Sequence, residues 1–166
     1  MTAQRQERNG WRPGLAFIAL AGLAAMADLV AARAATTERV VVDRTTGLAL
    51  GGFDPVAYFT ESRAMAGRPG LEVSEAGAVW RFRNEGNRAF FVRHPEIYGP
   101  QFGGYDPIEL TRGVAYAGDP RFWLISGQRL FLFGRTETRD AFAADPARFA
   151  REAGRRWPGV QETLAR

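Results

Sequence analysis

The chain has 166 residues, 46% of them hydrophobic, which is enough for one domain with a single core. Its net charge is +4, and residues 35–166 balance 18 arginines against 16 acidic residues. This near-neutrality excludes the electrostatic footprint of a nucleic-acid binder, and the absence of cysteine excludes disulfides, thiolate metal sites and cysteine nucleophiles.

Residues 1–34 are predicted to form a signal peptide or a membrane anchor. A basic start precedes the apolar run of residues 14–27, and small residues then follow in the pattern that a signal peptidase recognises. The alternative is an uncleaved anchor over residues 14–32, which would associate the protein with the inner membrane although Asp28 interrupts the stretch. Both alternatives predict a domain that is periplasmic or anchored facing the periplasm.

Residues 40–160 are predicted to form the folded domain. Residues 40–42 begin it as a β-rich run. Asp54-Pro55 is typical of an N-cap with proline in the first helical turn, so one helical turn is expected after it. Residues 71–82 are predicted to form a hairpin with Glu75-Ala76-Gly77 at its tip.

The stretch over residues 80–107 is the most informative part of the chain. Its alternating start predicts a half-buried strand, and Asn84 is a suitable N-cap for the helix that follows. Pro95 disfavours helical geometry at His94, so we expect the helix to end there. A loop rich in glycine and aromatic residues comes next.

The last third is predicted to contain two short strands and two helices. The strands are expected at residues 122–125 and 130–133, with Ser126-Gly127 as a hairpin turn, and the helices at residues 136–144 and 146–157. Asp119-Pro120 resembles a second cap and helix start, and Pro158-Gly159 is expected to end the fold. No internal repeat is evident. The elements together predict an α+β fold, a small antiparallel sheet with short helices packed against it in one domain.

Several of these segments together resemble proteins of the YHS domain family. Residues 52–59, GFDPVAYF, resemble the family's GYDPVAYF opening. Residues 95–105 resemble its P-x-x-Y-x-P-Q-Y-G-G-Y run, and residues 119–132 resemble its DP-x-x-W and GKLYL segments. The order and spacing agree over about residues 51–157.

The resemblance implies a non-catalytic binding or accessory module of the cell envelope. Other YHS domains carry cysteines and are associated with metal-handling proteins, copper-transporting ATPases among them. Here Asp106 follows the GGY triplet where the family usually has cysteine, and Asp54 and Asn87 occupy two further cysteine positions. The only histidine, His94, is expected at a helix end as a structural or surface residue. We therefore predict no metal site and no cofactor.

Six residues are candidates for binding an unknown small ligand or an envelope protein, and no residue is assigned a catalytic role. An isolated carboxylate before proline is most simply a helix cap, and aromatic residues in a small domain are most simply core. One alternative is a small enzyme with both carboxylates and neighbouring tyrosines in one cleft. Another is an envelope protein–protein interaction module with an exposed apolar patch. The candidates are Asp54, Tyr58, Tyr98, Gln101, Tyr105 and Asp106.

Overall fold

The computed structural model describes residues 40–164, and the predicted targeting segment lies outside the described residues. The fold is α+β in one domain, as predicted, with two antiparallel two-stranded sheets instead of one. Within residues 40–164 no helix has the length and apolarity that a membrane span requires. The strands are β1 (Glu72–Glu75), β2 (Ala78–Arg81), β3 (Asp119–Ser126) and β4 (Arg129–Phe133). The helices are α1 (Ala57–Thr60), α2 (Glu85–Arg93), α3 (Pro95–Tyr98), α4 (Pro107–Thr111), α5 (Thr136–Ala144) and α6 (Pro146–Leu164).

The first hairpin and the helix after it follow the local sequence signals. Strands β1 and β2 pair antiparallel around a turn at Ala76-Gly77, which confirms the predicted hairpin. The Asn84 side chain accepts a hydrogen bond from the Asn87 amide at 2.8 Å and so caps α2. Helix α2 ends before Pro95, as proline geometry requires.

Three predictions about local structure are wrong. Asp119-Pro120 opens strand β3 and not a helix, because Asp119 pairs with Phe133 across the second hairpin. The β-rich run of residues 40–42 forms only a single bridge, between Val42 and Ala49. Pro158 lies inside α6, which continues to Leu164.

The continuation of α6 has a packing reason. Trp157 and Val160 flank the proline, and both are buried in one cluster with Leu110. Burying two large apolar side chains contributes several kcal/mol, about as much as an interior proline costs a helix. The helix therefore continues past Pro158-Gly159, where the sequence predicted the fold to end, because Val160 beyond it is buried in the core.

The domain consists of two repeats of one helix–hairpin–helix unit, the first over residues 48–98 and the second over residues 100–149. Each repeat opens with a 3-10 turn and then carries the same motif, GFDP at residues 52–55 and GYDP at residues 104–107. A short helix, a hairpin and a second helix follow in both repeats. The expectation of no internal repeat is wrong. The repeat is difficult to see in the sequence because the matching residues are few and widely separated.

Contacts inside the two repeats match as closely as their element order. Phe91 of α2 lies with its ring centroid 4.8 and 5.2 Å from the rings of Trp80 on β2 and of Phe82 directly after that strand. Phe142 of α5 lies 4.7 and 5.2 Å from the two phenylalanines of β4 that stand at the equivalent positions. Each repeat thus buries one helical phenylalanine on its own hairpin.

Strand β4 joins the two repeats through its alternating side chains. Phe131 and Phe133 face the core of their own repeat. Leu130 and Leu132, on the opposite face, are buried in the core of the first repeat. Because one strand supplies both cores, the two repeats form a single packed domain.

Candidate functional site

Asp54 is fully buried and serves as a hydrogen-bond acceptor for its own repeat. Its Oδ1 accepts from the Val56 amide at 2.9 Å, in the manner of a helix cap. Its Oδ2 accepts from the Arg83 amide at 2.8 Å and from the Asn87 side-chain amide at 2.7 Å. The carboxylate therefore ties the start of α1 to the start of α2.

Asp106 is the corresponding hydrogen-bond acceptor in the second repeat. It is fully buried, and its Oδ1 accepts from the Ile108 amide at 2.9 Å at the start of α4. Its Oδ2 accepts from the Gly134 amide at 2.8 Å and from the Thr138 hydroxyl at 2.6 Å at the start of α5. The two aspartates are thus equivalent positions of two repeats, each holds helix starts of its own repeat, and neither lines the groove that contains Tyr58 and Tyr98.

Two of the predicted tyrosines, Tyr58 and Tyr98, line one surface groove of about 560 Å³. The volume lies within the range of small-molecule sites. The Tyr58 ring packs edge-on against Trp123 of β3, with centroids 5.2 Å apart, and Phe59 packs edge-on against Tyr98, with centroids 5.3 Å apart. We call this feature the aromatic groove.

The rest of the aromatic groove is apolar or polar but uncharged. Ile97 and Ile125 extend its apolar surface, and the exposed residues Ser62 and Gln128 lie at its rim. All eight lining residues are therefore uncharged, so the groove offers aromatic faces and a few hydrogen-bonding groups. An ionic ligand would lose hydration here without gaining a charged partner.

Tyr58 forms the buried floor of the aromatic groove. Its hydroxyl donates a hydrogen bond of 2.9 Å to the Pro120 carbonyl. Burial, with smaller contributions from the charges of Asp119 and Asp54, raises the pKa of Tyr58 above its ordinary value. Tyr58 therefore stays a neutral phenol at physiological pH.

The remaining two candidates lie elsewhere. Gln101 lines a second groove of about 350 Å³ beside Trp80 and Phe91. Tyr105 packs against Trp157 of α6, with ring centroids 5.7 Å apart. The six predicted residues therefore do not form one site, since only Tyr58 and Tyr98 share a groove.

His94 lies exposed at the junction of α2 and α3. Its Nδ1 is 3.6 Å from an Oε1 of Glu96, which is the contact of a surface pair. Across residues 40–164 no three carboxylate or imidazole side chains are grouped as metal ligands would be. The imidazole and carboxylate side chains of residues 40–164 thus do not form the group of three or four ligands that usually binds a soft or borderline metal ion.

Sequence reasoning missed six of the eight groove residues: Phe59, Ser62, Ile97, Trp123, Ile125 and Gln128. Phe59 and Trp123 were assigned to local elements only, because their meeting depends on how the second hairpin packs on the first repeat. Ser62 and Gln128 stand where the other repeat has glycine, a difference that becomes visible only once the two repeats are aligned.

The chain matches none of the protein-family models, curated proteins or solved structures with which it was compared. The resemblance to YHS proteins therefore stays a prediction from the motifs quoted above.

Proposed function

We propose that this chain is a non-catalytic binding module of the YHS type in the cell envelope, with the aromatic groove as its ligand site. The observation that carries the proposal is the division of labour among the predicted residues. Asp54 and Asp106 are buried and accept hydrogen bonds within the fold, whereas the partly exposed Tyr98 lines a groove open to solvent, with the buried Tyr58 as its floor.

The state of the buried groups supports a binding role over acid–base catalysis. Catalysis of that kind needs titratable groups whose environments separate their pKa values within reach of one substrate. The two carboxylates instead receive hydrogen bonds within different repeats. The raised pKa of Tyr58 and its bond to Pro120 leave that phenol neither a base nor a free donor.

The role of Asp106 also bears on the metal association of the resembling family. The family's cysteine after GGY would be a thiolate ligand, whereas Asp106 at that position accepts hydrogen bonds from three backbone amides and one hydroxyl. Both carboxylate oxygens of Asp106 already accept hydrogen bonds at two helix starts, so they are not free to bind an ion. We therefore propose a relative without metal function.

The proposal is tested with a neutral fluorescent apolar probe, N-phenyl-1-naphthylamine, added to the purified protein. We expect saturable binding that Tyr98→Ala weakens at least tenfold, since the substitution removes one aromatic wall. Tyr116→Ala is the matched control, because Tyr116 is 48% exposed and lies outside the groove. Equal loss in both variants, or no saturable binding, would contradict the proposal.

A protein-interaction role is the second candidate, favoured by the apolar surface of α2 and α3. Phe90 is 46%, Val92 is 56% and Ile97 is 40% exposed, and exposed apolar surface of this kind is what a protein interface would use. If the probe fails to bind while Phe90→Ser abolishes capture of an envelope protein by the purified chain, this candidate replaces the first.

A further inference from the structure

The two polar residues at the rim of the aromatic groove share an uncommon backbone conformation. Ser62 has φ of 51° and Gln128 has φ of 57°, both in the left-handed region. That region is unfavourable for residues with a side chain, and neither serine nor glutamine is among the types that tolerate it best. The groove therefore keeps two polar side chains at positions that favour glycine.

The internal repeat provides a comparison for both positions. Ser62 directly follows the C-cap of α1, and the residue directly following the C-cap of α4 in the second repeat is Gly113, with φ of 77°. Gln128 is the second residue of the second hairpin turn, and its counterpart in the first turn is Gly77, with φ of 76°.

At both positions, the repeat whose residue lies outside the groove has glycine. Where the position lines the groove, a hydrogen-bonding side chain stands instead. Since the fold of the unit is satisfied by glycine, the side chain is not needed for folding. Among the described residues Leu50, Ala76 and Phe102 share this conformation outside the groove, so the observation that points to binding is the polar side chain at each lining position and not the strain itself.

We propose that Ser62 and Gln128 are the hydrogen-bonding residues of the aromatic groove, and that its ligand is a neutral sugar ring. This inference rests on the proposed function. A neutral sugar has apolar C–H faces that pack on aromatic rings such as Tyr98 and Trp123, and hydroxyl groups that pair with a hydroxyl and an amide. It carries no charge, which suits a groove lined by uncharged residues only.

The experiment compares Ser62→Gly and Gln128→Gly with the parent in full-length protein. We expect Tm to rise by about 1–4 °C in each variant, because glycine relieves the backbone. Binding of cellobiose, followed by intrinsic tryptophan fluorescence, to which Trp123 of the groove contributes, up to about 50 mM sugar, is expected to weaken about threefold to tenfold, the value of one hydrogen bond. Higher stability with weaker binding is a combination that a structural role would not produce.

Ala76→Gly is the matched control, because Ala76 occupies the first hairpin turn with φ of 52° and lies outside the aromatic groove. It should raise Tm similarly and leave cellobiose binding unchanged. Glucuronate and glucosamine, which are charged, should bind at least tenfold more weakly than glucose.

Absence of cellobiose and glucose binding, or unchanged affinity in both glycine variants, would overturn the inference. Saturable binding of N-phenyl-1-naphthylamine in the same preparation would then show that the groove binds ligands and that only the sugar assignment has failed. Failure of the probe as well would remove the proposed function too.

Discussion

At the scale of single residues, the two buried aspartates hold parts of the fold together through hydrogen bonds. Each faces hydrogen-bond donors only, from backbone amides and from one side chain. A carboxylate suits that surrounding because it accepts at both oxygens. Asparagine has the same shape but would turn an amide donor toward a donor.

We therefore expect Asp54→Asn and Asp106→Asn each to lower the free energy of unfolding by about 2–4 kcal/mol, since buried donors lose their partner. Urea denaturation measures the change. Asp140→Asn is the control, because Asp140 is an exposed partner of Arg139, and we expect a change below about 0.5 kcal/mol. Loss of ligand binding without loss of stability would show instead that the carboxylates serve a site.

Tyr58 gives a prediction about pH. Its pKa is raised in the folded state, so the folded protein keeps the phenol proton after the unfolded chain has lost it near pH 10. Its contribution to stability is fully present below pH 10 and falls as the pH rises above that value. The chain has no lysine and no cysteine, which leaves tyrosine as the side chain that titrates in this window.

The prediction is that Tyr58→Phe makes the protein less sensitive to alkali. At pH 7 the variant should be about 1 kcal/mol less stable, because the hydrogen bond to Pro120 is lost. By pH 11 the difference should vanish or reverse, since the parent loses about 1.4 kcal/mol per pH unit for one proton. Urea denaturation between pH 7 and pH 11 measures it, and parallel pH curves for the two proteins would contradict it.

At the scale of elements, each hairpin is approached closely by a glycine of the preceding loop. The Gly67 amide donates to the Gly52 carbonyl, and the Gly118 amide donates to the Gly104 carbonyl, both at 2.9 Å. A Cβ at Gly67 would lie 2.6 Å from the backbone carbon of Arg81. A Cβ at Gly118 would lie 2.6 Å from the Leu132 side chain and 2.8 Å from a backbone oxygen.

We expect Gly67→Ala and Gly118→Ala to destabilise the protein by about 1–3 kcal/mol each, because the new methyl group has backbone atoms in its way. Gly154→Ala is the matched control, since a Cβ there meets no atom within 4 Å and alanine favours helix. That change should stabilise the protein by up to about 1 kcal/mol. Thermal unfolding separates the signs, and stabilisation by all three substitutions would refute the close approach.

The sequence predictions are accurate where the structure depends on neighbouring residues and fail where it depends on residues distant in the chain. The Asn84 cap, the Ala76-Gly77 turn and the stop before Pro95 follow from local chemistry, and all three are confirmed. The strand at Asp119 and the continuation of α6 past Pro158 depend on partners distant in the chain, and local rules failed there. Only two of the eight residues of the aromatic groove were predicted, for the same reason: Trp123, for example, reaches the groove from the other repeat.

At the scale of the whole molecule, the second repeat packs over the apolar surface of the first. The C-terminal half of α6 packs over the corresponding surface of the second repeat. Tyr58 of α1 is covered by Trp123 from the second hairpin. The equivalent residue of α4, Leu110, is covered by Ala153, Trp157 and Val160 of α6. Tandem repeats need such a terminal cover, because the last unit would otherwise expose its apolar surface.

Trp157 is the test of that cover, since it is 8% exposed and packs against Phe102 and Tyr105. We expect Trp157→Ala to lower the free energy of unfolding by about 3–5 kcal/mol. Because β4 supplies both cores, hydrogen-exchange protection should fall equally in both repeats. Arg156→Ala, an exposed neighbour, is the control and should change little. Loss of protection confined to the second repeat would show that the repeats unfold independently.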